Sequence, residues 1–538
     1  MNTLSAAFLL TLSSAVLPTQ AKSPLLLPTP PMGFNNWARF ECDLNQTLFT
    51  STADAMINLN LQAVGYNRVN IDDCWMSNQR TANGSLQWNT TLFPDGLPWL
   101  ADYLHSRGFH FGIYEDSGTK TCSGLPGSMG HESTDASTFA SWGIDYLKLD
   151  GCNVPRLSGL SDAETYISLY RKWHLIFSNM SHPLIFSESA PAYFSGMDNL
   201  SDWYTVMDWM PSFGELARHS DDIATFGSGE SSWKSILENY GQEVLVARYQ
   251  NQRLGYFNDP DYLIPDWPDL TIDEKRSQFA LWASLSAPLI ISAHIPNLTA
   301  EEVEYLTNTD LIAVDQDPLA LQATLVSQDG SWDVLTKSLA NGDRLLTVLN
   351  RGTSLASYSI SLSRLGFTTN CSCAFQVKDL WSGKTYVSSS TSIDMASITP
   401  HGTAALRITP KSCGDIIPTG MIFNTKSLNC LTDSSTNVSS APCNAADEQV
   451  WQVKSDGSIR DLTNTSQCLT EGPSGTTFMT ACQNSKTSQK WRYYLSGNVV
   501  NVLSGNCLTE MNGLGTTASC LNEANSQVFG LPSGVKVL

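Results

Sequence analysis

Lys148 and Asp150 stand two residues apart in Asp145-Tyr146-Leu147-Lys148-Leu149-Asp150-Gly151-Cys152. Along an extended strand the side chains alternate, so Tyr146, Lys148 and Asp150 share one face while Leu147 and Leu149 take the other. An ammonium held beside a carboxylate favours the ionised form, and an ionised carboxylate is what a carboxylate nucleophile must be. Taken alone, the run reads equally well as an ion pair closing a strand, with no chemistry attached.

The elements that would position such a pair recur through the N-terminal half. Tyr66–Ile71 leads into Asp72-Asp73-Cys74-Trp75, Phe109–Tyr114 into Glu115-Asp116, and Leu184–Ser187 into Glu188. Trp203–Asp208 and Pro288–Ser292 read as two more short apolar strands. Helical periodicity separates them, at 100–107, 163–177 and 277–286. Strand and helix alternating this often predict a parallel sheet. Polar residues gathered after the strands predict a (β/α)8 barrel, a TIM barrel with its site at the strand C-termini.

Five ordered motifs carry a resemblance: Pro31-Met32-Gly33-Phe34-Asn35-Asn36-Trp37, Ile71-Asp72-Asp73-Cys74-Trp75, Gly112-Ile113-Tyr114, Tyr146-Leu147-Lys148-Leu149-Asp150 and Asn258-Asp259-Pro260-Asp261. Together they resemble the retaining α-galactosidases and α-N-acetylgalactosaminidases of glycoside hydrolase family 27, the melibiases, over about 28–409. The resemblance implies a double displacement through a covalent glycosyl-aspartate. Retaining glycosidases of this kind use two carboxyl groups about 5–5.5 Å apart, without metal or organic cofactor.

By the family pattern Asp150 is the nucleophile. The acid/base follows an Arg by four residues, which Arg218 and Asp222 satisfy within Arg218-His219-Ser220-Asp221-Asp222; the tandem aspartates leave Asp221 as the alternative register. An Arg–Asp pair four apart on a helix, with no catalytic part, is the competing reading. Asp72 and Asp73 are implied to bind O4 and O6 of the sugar, Lys148 O3 or O4, and Arg218 the region of the 2-substituent. Trp37 would face the apolar side of the ring, unless it fills the barrel core, with Tyr114 and Asp261 completing the wall. Aligned on Pro191, Ser189 and Ala192 resemble the pair that makes room for a 2-acetamido group; a shift of one residue places Glu188 there instead and implies a galactosidase. The activity expected is release of terminal α-linked D-galactose, with α-N-acetylgalactosaminidase activity as the alternative or a companion. A catalytically inactive galactose-binding lectin is the reading from another class.

Composition narrows the setting. The first 21 residues resemble a signal peptide, apolar from Ala6 to Leu17 with a small-residue site ending at Ala21, though without Lys or Arg. Nine Asn-x-Ser/Thr sequons, at Asn45, Asn83, Asn89, Asn179, Asn199, Asn297, Asn370, Asn437 and Asn464, fit a secreted, extracellular glycoprotein. A formal charge of −20 argues against nucleic acid and anionic membranes as partners. Thirteen cysteines in an exported chain predict disulfides, and none has zinc-site spacing. The family pattern implies Cys42–Cys74 and Cys122–Cys152; Cys371, Cys373 and Cys413 leave at least one thiol unassigned.

With 22–317 assigned to the barrel, residues 318–410 change to short alternating runs separated by Asn341-Gly342, Ser382-Gly383 and His401-Gly402, an antiparallel β-sandwich. Residues 411–538 repeat: Cys-Leu-Thr begins at Cys430, Cys468 and Cys507, a second cysteine follows at Cys443, Cys482 and Cys520, and a Gln-x-aromatic triplet ends at Trp451, Trp491 and Phe529. The repeat resembles the ricin-type β-trefoil and implies pairing of the two cysteines within each unit. The triplet aromatics are expected in the core. Sugar-binding units of that family carry an acid directly after Cys-Leu, where this chain has Thr432, Thr470 and Thr509, and Phe478 is the one candidate aromatic platform. A hydroxyl cannot take paired hydrogen bonds from vicinal sugar hydroxyls as a carboxylate does. Sugar binding by this domain is therefore expected less than a structural role.

Overall fold

The structure, a computed structural model, describes residues 26–196, 200–251, 255–368, 374–411, 416–434 and 437–538. The expected leader and Cys371, Cys373 and Cys413 lie outside the described residues. Eight parallel strands form the first domain: β1 Met32–Asn35, β2 Arg68–Asn70, β3 His110–Asp116, β4 Tyr146–Asp150, β5 Ile185–Glu188, β6 Leu216–Arg218, β7 Phe257–Asp259 and β8 Leu289–Ile291. They are ordered β7-β6-β5-β4-β3-β2-β1-β8, and a parallel bridge between Leu263 and Ile291 closes the ring. Register sets the chemistry at one rim, pairing Asp116 with Asp150 across β3 and β4 and Arg218 with Asp259 across β6 and β7.

The crossover helices form where periodicity and capping agree. Asp162–Phe177 starts on a capping box of Ser161 and Glu164, and Ile272–Leu285 on one of Thr271 and Glu274. One expectation is corrected: Trp203–Asp208 is not a strand but part of the helix Ser201–Phe213. Its apolar positions 203, 204, 206, 207 and 210 are all buried, a helical face that a six-residue window cannot tell from a buried strand. The true sixth strand is three residues long and ends on Arg218.

A sandwich follows. Six antiparallel strands run in the order β14-β13-β16-β11-β10-β9, where β9 is Thr324–Gln328, β10 Trp332–Ser338, β11 Arg344–Asn350, β13 Phe375–Asp379, β14 Thr385–Ser388 and β16 Thr403–Pro410. The pair β12 (Ala356–Ser361) and β15 (Ser392–Ile398) covers them, with Val334, Val348, Val377 and Ile408 in the core between. Its outer face rests on the helix Ile272–Leu285, where the Ser284 and Thr347 hydroxyls meet at 2.7 Å.

The C-terminal domain is a trefoil of three hairpin units with bridges Cys430–Cys443, Cys468–Cys482 and Cys507–Cys520. Trp451, Trp491 and Phe529 are buried in its core, and the two indoles donate to Leu431 O and Leu469 O. Each threonine after Cys-Leu is consumed internally. Gln449, Gln489 and Gln527 donate to Thr432, Thr470 and Thr509 at 3.0–3.1 Å, and those hydroxyls donate back to the carbonyls of Cys430, Cys468 and Cys507. Tethers to the barrel are polar as well as apolar: Arg248 Nε donates to Leu495 O at 2.8 Å, Tyr204 and Thr425 hydroxyls meet at 2.6 Å, and Phe423 and Val528 join the barrel's own apolar core.

Candidate active site

Asp150 is the last residue of β4, and Gly151 turns the chain away immediately after it. A Cβ at Gly151 would lie 2.6 Å from the Tyr166 ring, so only glycine lets that ring and Tyr193 close over the strand end. Asp150 Oδ1 accepts from Gly151 N at 3.0 Å and from the Tyr193 hydroxyl. Burial raises the Asp150 carboxyl above its ordinary value; the Lys148 ammonium and the Tyr193 hydrogen bond pull it down, and Asp222 and Asp72 push it up.

Lys148 does not bond Asp150 directly. Its Nζ donates to Asp72 Oδ2 at 2.8 Å and lies 5.2 Å from the centre of the Tyr114 ring, so it acts on Asp150 through space. Asp72 also accepts from Asn35 Nδ2 at 2.9 Å and Tyr262 OH at 3.2 Å. Burial favours the neutral amine of Lys148, but Asp72, Asp150 and Asp222 outweigh it and keep the ammonium charged well beyond neutrality.

Arg218 ends β6, so the pair with Asp222 bridges a strand end and the following loop rather than a helical turn. Its Nη2 reaches Asp222 Oδ1 at 3.1 Å and its Nη1 reaches Asp261 Oδ1 at 2.9 Å. The two carboxyls part company through their surroundings. Burial drives Asp261, 1 % exposed, up to about 7 despite Arg218. Asp222 keeps a side chain 60 % exposed, and there Arg218, Lys148 and the Trp37 indole overcome desolvation to hold the carboxyl below its usual value.

Trp37, Asp72, Tyr114, Lys148, Asp150, Ser189, Ala192, Arg218 and Asp222 line one cavity of about 400 Å³, together with Ser220 and Asp221. Asp73 and Asp261 stand behind its wall. The oxygens of Asp73 accept from Cys74 N at 2.7 Å and Ser123 N at 3.0 Å, and Asp261 Oδ2 accepts from Ile223 N at 2.7 Å. Both neighbourhoods hold left-handed backbone, φ 74° at Cys74 and 78° at Asp261, a strain of roughly 1–3 kcal/mol each that packing must offset. The Cys42–Cys74 and Cys122–Cys152 bridges tie the loops after β1 to β4 around the mouth. Asp116, Cys122, Asp150 and Cys152 cluster closely enough to suggest a cation site, but both sulfurs are committed to that second bridge, leaving two carboxylates.

Among the described residues Ser189 Oγ and Ser220 Oγ are buried without a hydrogen-bond partner, and Ala192 lines the same cavity. Four contributors escaped the sequence reading. Asn35 lay inside a quoted motif without a role, Tyr193 one residue beyond Ala192, Tyr262 one residue beyond Asp261, and Asp116 at the end of a strand read only as polar. None of the four has a spacing that announces it.

The chain is similar to known proteins over all three domains. Residues 29–317 match the family model described as alpha galactosidase A, residues 329–408 the alpha galactosidase C-terminal beta sandwich domain, and residues 418–529 the ricin-type beta-trefoil lectin domain. The chain is 56% identical over 544 residues to alpha-galactosidase A of Aspergillus niger, covering 100% of this chain and 98% of that one. The crystal structure of alpha-galactosidase I from Mortierella vinacea superposes with a TM-score of 0.62 at 28% identity, over 71% of this chain and 97% of that chain. An α-galactosidase from Saccharomyces cerevisiae, solved with raffinose, gives 0.62 at 25% identity over 71% and 98%.

Proposed function

The chain belongs to the α-galactosidase family, the melibiases, and is an α-galactosidase; we propose that it works by double displacement, with Asp150 as nucleophile and Asp222 as acid/base. One observation carries the proposal: a single cavity brings both carboxyls together with the cations that bias them, Lys148 and Arg218. Asp150 attacks C1 as the leaving oxygen takes a proton from Asp222, and Asp222 then activates water to hydrolyse the ester. Asp222 rests ionised beside Arg218, so an arriving sugar must strip its water and lift its affinity for the proton before it can serve as acid. Asp72, held by Asn35, Tyr262 and Lys148, is pre-oriented to accept from sugar hydroxyls, with Lys148 donating beside it. Asp73 and Asp261 act one layer back, Asp261 by aiming Arg218.

The test is replacement of Asp150 with glycine. Asp150→Gly should abolish turnover of an aryl α-galactoside, and azide filling the vacated space should restore phenol release and give the β-galactosyl azide. A variant that keeps the parent rate without azide overturns the nucleophile assignment.

Ser189 and Ala192 favour a second reading of the substrate. A small side chain and an unpartnered hydroxyl beside Arg218 leave room and a hydrogen-bonding group for a 2-acetamido substituent, so α-N-acetylgalactosaminides are proposed as further substrates. Export is proposed from the leader and from the sequons, since six of the seven described sequon asparagines are exposed and Asn89 is half-buried. No helix among the described residues is long and apolar enough to cross a membrane. For the trefoil a structural role is proposed over sugar binding, because its three threonines are spent on the Gln-x-aromatic triplets.

A further inference from the structure

The hydrogen bonds that Asp150 receives among the described residues fall on one oxygen. Oδ1 takes Gly151 N and the Tyr193 hydroxyl, and Oδ2 takes neither. The Tyr193 oxygen itself accepts from Gly151 N at 3.1 Å, so its own proton must point elsewhere, and the nearby charged acceptor is Asp150. The ring cannot swing away. It packs on Tyr166 at 5.3 Å between centroids, Tyr166 OH donates to Gly151 O at 2.6 Å, and Cys152 Sγ lies 3.2 Å from the Tyr193 hydroxyl.

We infer that Tyr193 is a positioning residue which locks Asp150 Oδ1 and so makes Oδ2 the oxygen that attacks the sugar. The inference rests on the assignment of Asp150 as nucleophile. In the first step the Oδ2–C1 bond forms as the C1–O bond to the leaving group breaks, and that leaving oxygen takes its proton from Asp222. The negative charge of Asp150 is consumed in the ester, and Oδ1 becomes the ester carbonyl oxygen with Tyr193 still donating to it. In the second step water attacks C1, gives its proton to Asp222, and returns the electron pair to Oδ2. Tyr193 thus holds one oxygen through both steps without gaining or losing a proton. Burial and the adjacent Asp150 charge raise its phenol far above the ordinary range, which keeps that donor neutral at any working pH.

The same residue follows Ala192 directly, so the segment that borders the proposed 2-substituent space also aims the nucleophile. A substituent that displaces Ala192 would be felt at Asp150.

Tyr193→Phe keeps the ring and removes the donor. Expected is a fall of about 10- to 100-fold in kcat with KM little changed, the range for losing one hydrogen bond to a charged group. The limb of the pH profile of kcat/KM that Asp150 sets should also move to higher pH, because the lost bond is one that lowers the Asp150 carboxyl. A merely structural tyrosine would not move that limb. Incorporation of 3-fluorotyrosine at 193, a stronger donor of nearly the same size, should move the limb the other way and serves if Tyr193→Phe fails to fold. An unchanged limb in either variant overturns the inference, as does a loss confined to KM, which would mark a sugar contact. Azide rescue of Asp150→Gly, run in parallel, separates the two proposals: rescue with a silent Tyr193→Phe sinks only the positioning role, while a fully active Asp150→Gly sinks the mechanism beneath it.

Discussion

Two neighbouring aspartates face the cavity, and one substitution at each decides which is the acid. Asp222 Oδ1 receives Arg218 Nη2 at 3.1 Å, whereas among the described residues Asp221 Oδ1 receives only the Ser195 hydroxyl at 3.4 Å, and Asp221 contributes its backbone carbonyl to Arg218. In Asp222→Asn the amide can neither give nor take the proton, while Arg218 keeps Asp261, so binding should change little. General acid–base assistance is worth about 10²- to 10⁴-fold, some 3–5 kcal/mol of barrier. That full loss is expected on α-galactosyl oligosaccharides such as raffinose, whose leaving alkoxide needs the proton. On a nitrophenyl α-galactoside the first step should be nearly spared, and azide, which needs no base, should then accelerate turnover by relieving the second step. The assay is kcat/KM on both substrates with and without azide. Asp221→Asn should cost less than tenfold on either. If instead Asp221→Asn shows the leaving-group dependence and Asp222→Asn does not, the register in the tandem is wrong by one and the role argued for Arg218 goes with it.

Substitution at the 2-position rim should separate two substrates: Ala192→Leu is expected to suppress cleavage of α-N-acetylgalactosaminides at least tenfold while sparing α-galactosides, measured with one leaving group on both sugars. Equal losses, or no acetamido activity in the parent enzyme, would remove the spacious-pocket idea. Truncation after Thr409 leaves every residue assigned to chemistry in place, so activity on small glycosides should persist in whatever fraction folds. The same cut strips Arg248, 3 % exposed, of Leu495 O and opens the barrel face that meets Phe423 and Val528, so a fall of several degrees in Tm is expected by calorimetry. Binding of the intact chain to immobilised galactose in a way that Thr432, Thr470 and Thr509 substitutions abolish would overturn the structural reading of the trefoil.

How much of this was legible in the sequence depended on whether a residue acts through its own motif or through a neighbour brought in by the fold. Asp150 and Lys148 could be placed on one strand face from alternation alone, because a side-chain period of two is local. That Lys148 bonds Asp72 rather than Asp150 could not, since Asp72 arrives from β2, 76 residues earlier, through barrel closure. The helix Ser201–Phe213 hid as a strand because the six residues Trp203–Asp208 show only part of its buried face, and the real β6 is too short to carry any period. Asp73 and Asp261 sit in motifs that the barrel rim shares with Asp72 and Arg218, yet their oxygens turn to backbone N–H groups or to the guanidinium. No spacing rule states which of two adjacent acids will face the ligand.

The charge arrangement explains why so many carboxyls can share one rim. Asp72, Asp150 and Asp222 border the cavity and Asp73, Asp259 and Asp261 back it, with two cations among them. Lys148 and Arg218 are buried, and burial works against the charge of each; the surrounding carboxyls outweigh it and hold both charged. Each cation in turn reads differently on the acids around it. A carboxyl that keeps water, as Asp222 does, is pulled down, while one sealed behind the wall, as Asp261 is, stays up near 7 although it touches the same guanidinium. Asp222 is pulled down by Arg218, Lys148 and the Trp37 indole against its own desolvation, and an arriving sugar would add to that desolvation. On the proposed assignment, an acid/base that rests ionised and is protonated on occupancy suits an enzyme whose second step needs the base form in the same residue.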